Sequence, residues 1–383
     1  MSRLIVFNFD GTGNEPEDAK QYDEQKDASI SNILKLHFLM GGNLHRDGEH
    51  YGQSNRNNIT HCFYYQGVGT YGGWFNRFIN QGLAFNSWDV SYILNKARND
   101  FLSHYRTGDT VLITGFSRGA ALARRFVSLI EHAINNDDTP PFIFLCVFDT
   151  VASIGLPDLS TRKRPKFSVV FEHGRTISNI VKYATHLVSL DEKRKAFQPT
   201  LMNHDPNRIT EIWFAGAHSD VGGGYKKDGL ADVAFGYAIN WLKYMQQTHD
   251  LPRFTLDITD SDCLKQACPD SLQDVISHDE LSLSPNALGL NHQQTRNFFI
   301  DWLTLDDRIC CVMKDNKIDP SLTPVVHHSV AKRASLDNNY QPNSLEQTEH
   351  HLWHDFTLPL QTFSCVTEHS EQKEQDYAEL DEH

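Results

Sequence analysis

Gly115-Phe116-Ser117-Arg118-Gly119 closes an apolar run, "TVLIT", and opens a helical one, "AALARRFVSLIEHAI". A serine flanked by glycines at two places on either side, between a strand and a helix, is an arrangement that makes a hydroxyl nucleophilic. The small residues let strand and helix approach, so the turn is tight and the serine hydroxyl faces outward. The helix N-terminus behind it favours negative charge as that charge develops. The bare pattern recurs by chance, and its place between strand and helix gives it meaning. Ser117 is therefore the candidate nucleophile of an acyl transfer.

Such a hydroxyl needs a base, and the base needs an orienting acid. Asp149 ends "FIFLCVFDT" and His218 ends "EIWFAGAHSD", each directly after an apolar run. Serine, acid, histidine is the chain order of the α/β-hydrolases. A second assignment keeps that order, with Asp220 as the acid and His327 or His328 of "VVHHSVAKR" as the base. Asp149 and His218 rank ahead because both follow well-defined strands. Asp220 is then expected to order the "SDVGGGY" turn through bonds to its backbone. His186 reads as a packed residue rather than a catalytic one.

The chain opens with "LIVFNFDGTGN", a strand running into an acid-glycine-threonine turn. Haloacid-dehalogenase phosphatases open the same way, with a nucleophilic aspartate two places before that triplet. Here the position holds Asn8, and an amide cannot attack phosphorus. Acyl transfer offers the turn another use. An oxyanion hole takes one amide from the residue after the nucleophile, here Arg118, and one from an earlier strand-end loop. The expected source of the second is this turn, at Gly11, Thr12 or a neighbour, with Asp10 fixing the turn by bonding its amides.

Elements that could position these residues are legible along the chain. Apolar, β-rich runs end in turn residues at 3–14, 60–70, 109–119, 141–153 and 208–224. Near-continuous apolar runs, rather than alternation, predict strands covered on both faces, as in a parallel sheet. Helical patterns lie between them, at "SISNILKLHFLMG", "SWDVSYILNKARNDFLSHY" and "GAALARRFVSLIEHAI", with another at 229–246. This alternation predicts an α/β fold, a doubly wound and mainly parallel sheet with helices on both faces. Functional loops then gather at the carboxyl ends of the strands. Residues 154–207 interrupt the alternation. They begin irregular and basic, with "TRKRPK" at 161–166, and continue as an expected amphipathic helix, "RTISNIVKYATHLVSLDEKR". This stretch reads as a packed crossover or as a lid-like insertion.

Composition narrows the function classes. A chain of 383 residues has ample length for a core, and the reading is one catalytic domain over 1–365 with an acidic, flexible tail over 366–383. A formal net charge of -14 argues against nucleic acid as a partner. The N-terminus shows no secretory leader, and no apolar stretch approaches the roughly 20 residues that span a bilayer. Synthesis as a soluble cytoplasmic chain is the expectation. The seven scattered cysteines show neither a CxxC pair nor zinc spacing and are read as reduced thiols. No cofactor and no metal is expected.

Taken in order, "FDGTGN", "YYQGVGT", "GFSRGAALARR", "VFDTVASIG", "HLVSLDEKRKAF", "IWFAGAHSDVGGGY" and "HHSVAKR" resemble one family over roughly residues 4 to 333. It is the α/β-hydrolase family that includes the first family of type VI secretion lipase effectors. The resemblance implies an α/β-hydrolase fold and a nucleophile at Ser117, with acid and base at Asp149 and His218. It implies a phospholipase of the A type, with a phospholipid or other acyl-ester substrate and transient contact with a membrane surface. It further implies secretion into the periplasm of rival cells, an immunity protein and a secretion spike protein as partners. A carboxylesterase of soluble substrates is the alternative, with a phosphatase or a non-catalytic binding protein behind it.

Overall fold

The computed structural model of the chain describes residues 3–11, 29–45, 47–67, 87–134, 141–152, 177–249, 251–256, 267–268, 276, 279–292, 305–346, 348–357 and 361–363. Five strands fall on the five apolar runs: β1 (Leu4–Phe9), β2 (Ile59–Tyr65), β3 (Thr110–Phe116), β4 (Phe142–Phe148) and β6 (Ile209–Phe214). With β5 (Val181–Ser189), β9 (Val325–His327), β10 (His350–Trp353) and β11 (Gln361–Phe363) they make a sheet in the order β11-β10-β9-β6-β5-β4-β3-β1-β2. Every pairing is parallel except the last, β10 with β11. A two-stranded ribbon, β7 (Met313–Lys314) with β8 (Lys317–Ile318), stands apart from it.

Helices cover both faces. Leu4, Val6, Leu112, Phe144 and Leu187 pack in one cluster with residues of α1 (Asn32–Leu39) and α5 (Gly229–Thr248). Their strand neighbours Ile5, Phe7, Val111, Ile113 and Leu145 face the other way, against α2 (Ser87–His104) and α3 (Ser117–Ile134). A strand with both faces covered has no polar side to show, which is why its sequence reads as a continuous apolar run. This is an α/β-hydrolase-like architecture. Two further helices complete it, the short α4 (His218–Gly222) and α6 (His328–Leu336).

One element differs from the sequence reading. The amphipathic helix expected over 175–194 is instead β5, a strand between β4 and β6. Its apolar positions fit helical spacing because a doubly covered strand has no period of its own. The β-branched and aromatic residues Val181, Tyr183, Thr185 and Val188 carry the strand preference. Residues 154–176 of the stretch read as a lid, with the basic segment at 161–166, lie outside the described residues, as does the acidic tail.

Register converts this topology into a site. Phe116 pairs with Phe148, so the next residue of each strand, Ser117 and Asp149, leaves the sheet at the same edge. Phe148 in turn pairs with Leu187, and Ser189 with Phe214 four residues before His218.

Candidate active site

Ser117 is the first residue of α3 and has φ 57°, in the left-handed region that a side chain disfavours. Asp149 is held similarly, at φ 37°. Strain of this kind persists only where the surroundings dictate it, and here they do. A β-carbon on Gly115 would meet the Ala120 Cα at 2.7 Å, so strand and helix could not close with any larger residue there. The Val151 amide also donates to the Ser117 carbonyl at 3.2 Å, tying the two strand-end turns together.

The structure brings three of the sequence-derived residues into one hydrogen-bonded chain. His218 Nε2 lies 2.7 Å from Ser117 Oγ, and His218 Nδ1 lies 2.5 Å from Asp149 Oδ2. All three are buried, with Asp149 fully so. The imidazole is held between two rings: Phe116 at 4.6 Å between centroids and Phe197 edge-on at 5.0 Å. With Nδ1–H given to the carboxylate, Nε2 is left to accept the serine proton.

Sequence reasoning missed the charges behind this chain. Arg308 grips the Asp149 carboxylate with both arms, Nη1 to Oδ1 at 2.6 Å and Nη2 to Oδ2 at 2.8 Å. Burial pushes the Asp149 carboxyl up, but the Arg308 guanidinium and the His218 bond hold it well below the ordinary carboxylate range. Glu192 accepts the His218 backbone N–H at 3.3 Å and is clamped by Arg194 through Nε at 2.8 Å and Nη2 at 2.7 Å. Burial pushes Glu192 up as well, and Arg194 outweighs it, leaving the carboxyl at about 2. Burial dominates at His218 itself: Asp149 and Glu192 favour the charged ring, yet it sits below its ordinary value. Glu192 and Arg194 lie in "HLVSLDEKRKAF", a motif quoted above without a role. Arg308 lies in "DDRICC", which carries no signal of its own.

The opening turn lies against the elbow. The Asp10 carboxylate accepts the Gly11 amide at 2.6 Å, the Ser31 hydroxyl at 2.6 Å and the Tyr64 hydroxyl at 2.6 Å. Asp10 thus bonds a turn amide as expected, but the amide it takes is that of Gly11, one of the expected oxyanion donors. Thr12 lies outside the described residues. Arg118 follows Ser117 in the first turn of α3, and burial pushes its guanidinium down to about 10. Asn8 is a buried bridge: its Nδ2 donates to the Phe63 carbonyl at 3.2 Å, and its Oδ1 accepts the Thr114 hydroxyl at 2.7 Å.

The competing pair is not brought together. Asp220 accepts the Ala217 amide at 2.9 Å and meets His292 Nδ1 at 2.5 Å, which makes it the organiser of its own turn. His327 Nδ1 bonds the Ser329 hydroxyl at 2.8 Å at the start of α6, and its ring stacks on Phe214. The His328 ring stacks beside His354. His186 is fully buried, with Nε2 accepting the Thr150 amide at 3.0 Å and Nδ1 donating to Glu211 at 2.6 Å. Among the described residues, no group of His, Cys, Asp and Glu is placed to hold a metal ion, and no helix is long and apolar enough to cross a membrane.

Comparison with known proteins gives these residues a context. No curated protein matches the chain. Among solved structures, an uncharacterized protein from Pseudomonas aeruginosa is 18% identical with a TM-score of 0.41. The match covers 72% of this chain and 52% of that one, so the chain spans about half its length. The family described as "T6SS, Phospholipase effector Tle1-like, catalytic domain" matches residues 3–134 and 132–243, a span that contains Ser117, Asp149 and His218. The chain belongs to this family of type VI secretion phospholipase effectors.

Proposed function

We propose that the chain is a serine phospholipase of the A type, with Ser117 as nucleophile, His218 as general base and Asp149 as its orienting acid. The observation that carries this reading is the unbroken chain Ser117 Oγ–His218 Nε2, His218 Nδ1–Asp149 Oδ2 in a member of a phospholipase effector family. His218 takes the hydroxyl proton as Ser117 attacks the ester carbonyl. The tetrahedral oxyanion meets the Arg118 amide and a second amide of the "FDGTGN" turn. Because Gly11 already donates to Asp10, the Thr12 amide is the better candidate for that second donor. Collapse expels the lysophospholipid alcohol, which leaves with the proton from His218. Water, deprotonated by the same histidine, then releases the fatty acid and restores Ser117.

In the biological setting we infer, residues 1–365 form the catalytic domain. The enzyme is delivered by a type VI system to the periplasm of rival cells, where it attacks membrane phospholipid. An immunity protein and a spike protein are the partners this setting requires. The test compares wild type with Ser117→Ala on phospholipid vesicles and on a soluble short-chain ester, with a fluorophosphonate probe alongside. Fatty-acid release and labelling should both vanish in the variant. An active, labelled Ser117→Ala protein would overturn the nucleophile. Wild-type activity confined to the soluble ester would replace the phospholipase with a carboxylesterase.

A further inference from the structure

All four bonding directions of the Asp149 carboxylate are filled. Oδ1 accepts Arg308 Nη1 at 2.6 Å and the Ser189 amide at 3.0 Å. Oδ2 accepts His218 Nδ1 at 2.5 Å and Arg308 Nη2 at 2.8 Å. Arg308 is itself pinned. Nη1 also donates to the Ser189 carbonyl at 2.7 Å and Nη2 to the Phe197 carbonyl at 2.5 Å. Both side chains are wholly buried. A buried ion pair in a core is often no better than an apolar pair of equal volume. This one differs, because the oxygen that accepts the histidine N–H bond also accepts one from the guanidinium.

We propose that Arg308 is a positioning residue for the catalytic chain: its planar fork sets the Asp149 carboxylate to meet His218 Nδ1 and balances its charge, so that His218 remains a neutral base. Geometry and charge are separable parts of this role. A planar fork can hold two carboxylate oxygens and two carbonyls at once, which a point charge on a flexible stem cannot. Without Arg308, His218 would face an uncompensated buried carboxylate and would be drawn towards the charged form. The other charges facing the imidazole come from the segment after β5, where Glu192 and Arg194 are bonded to each other. As that pair is already matched, it leaves no cation to replace Arg308. Burial alone would disfavour the ionised Asp149 carboxylate, and the Arg308 guanidinium beside it does most to hold the carboxyl below the ordinary range.

The inference rests on the triad reading above, so the test includes a measurement that does not depend on it. In Arg308→Met, kcat/KM at neutral pH should fall about 100-fold, as for a misplaced catalytic group, and the acidic limb of its pH profile should move up by about one unit or more. Arg308→Lys keeps the charge and loses the fork: its limb should stay where wild type has it, while turnover falls about 10-fold with KM unchanged. The His218 ring, titrated by NMR in the full chain, should follow the same pattern whatever nucleophile the enzyme uses. A folded Arg308→Met protein with an unmoved His218 titration would overturn the proposal and leave the triad standing. Should Arg308→Met not fold, Arg308→Lys decides, and wild-type turnover there overturns the proposal. An active Ser117→Ala protein would instead defeat the triad, with the His218 titration still reporting on Arg308.

Discussion

A β-carbon on Gly119 would stand 2.2 Å from the carbonyl oxygen of Asp10, and 2.4 Å from that of Phe9. The first turn of α3 therefore rests on the backbone that leaves β1, and the elbow and the opening turn act as one unit. Backbone atoms cannot swing aside as a flexible side chain could. Gly119→Ala should part the two loops, costing about 1 to 3 kcal/mol of stability through overpacking. Misplacing Ser117 relative to the proposed oxyanion donors should lower turnover about 100-fold. Thermal melting and ester hydrolysis measure the two effects, and a variant unchanged in both would show that the close approach is not needed.

Asp149→Asn should cut turnover by about four orders of magnitude, because an amide favours the wrong imidazole tautomer. Asp220 bonds its own turn and His292, so Asp220→Asn should act only by loosening the loop that carries His218. A loss of about 10-fold or less is expected there. Variants with matched melting temperatures make the comparison fair. Near wild-type turnover in Asp149→Asn would remove Asp149 from the triad.

In the proposed triad His218 must be neutral to take the serine proton, and burial holds its pKa below the ordinary value of 6.5. A base with a lowered pKa stays neutral further into acid. The acidic limb of kcat/KM should therefore have its midpoint below pH 6.5. A midpoint above that value would mean that Asp149 and Glu192 outweigh burial.

Glu192 bears on stability against pH. Its folded value is about 2, against an ordinary 4.5, so the unfolded chain takes up the proton first as pH falls. The contribution is complete above pH 4.5 and is lost as pH drops towards 2. By linkage it is on the order of 3 kcal/mol. Glu192→Gln should be less stable at neutral pH, and its stability should vary less between those limits. Chemical denaturation across that range would show it, and parallel curves for the two proteins would exclude the effect.

The legible parts of this molecule are those whose signal is local. Strands β1 to β4 and β6 are continuous apolar runs; Ser117 and Asp149 stand directly behind two of them, and His218 four residues past the end of a third. The turn glycines announce themselves because backbone contact excludes anything larger. β5 reads as a helix in the sequence because burial on both faces removes the alternation that marks a strand. Arg308 could not be read, since its partner lies 159 residues away and nothing around it in the chain indicates what it grips. That Asp10 would bond an amide of its turn is legible, but that the amide is the one on Gly11 depends on a turn geometry the sequence does not specify.

The span between Asp149 and Arg308 also orders events during synthesis. Ser117, Asp149 and His218 all emerge from the ribosome before Arg308 does. Until that arginine arrives, closing the core around Asp149 would bury a carboxylate with no cation beside it. β9 and β10, which extend the sheet beyond β6, are made later still. Contacts so distant in sequence form slowly, because loop closure must precede them. A chain paused two thirds of the way through translation thus holds every member of the proposed triad without the charge that balances it.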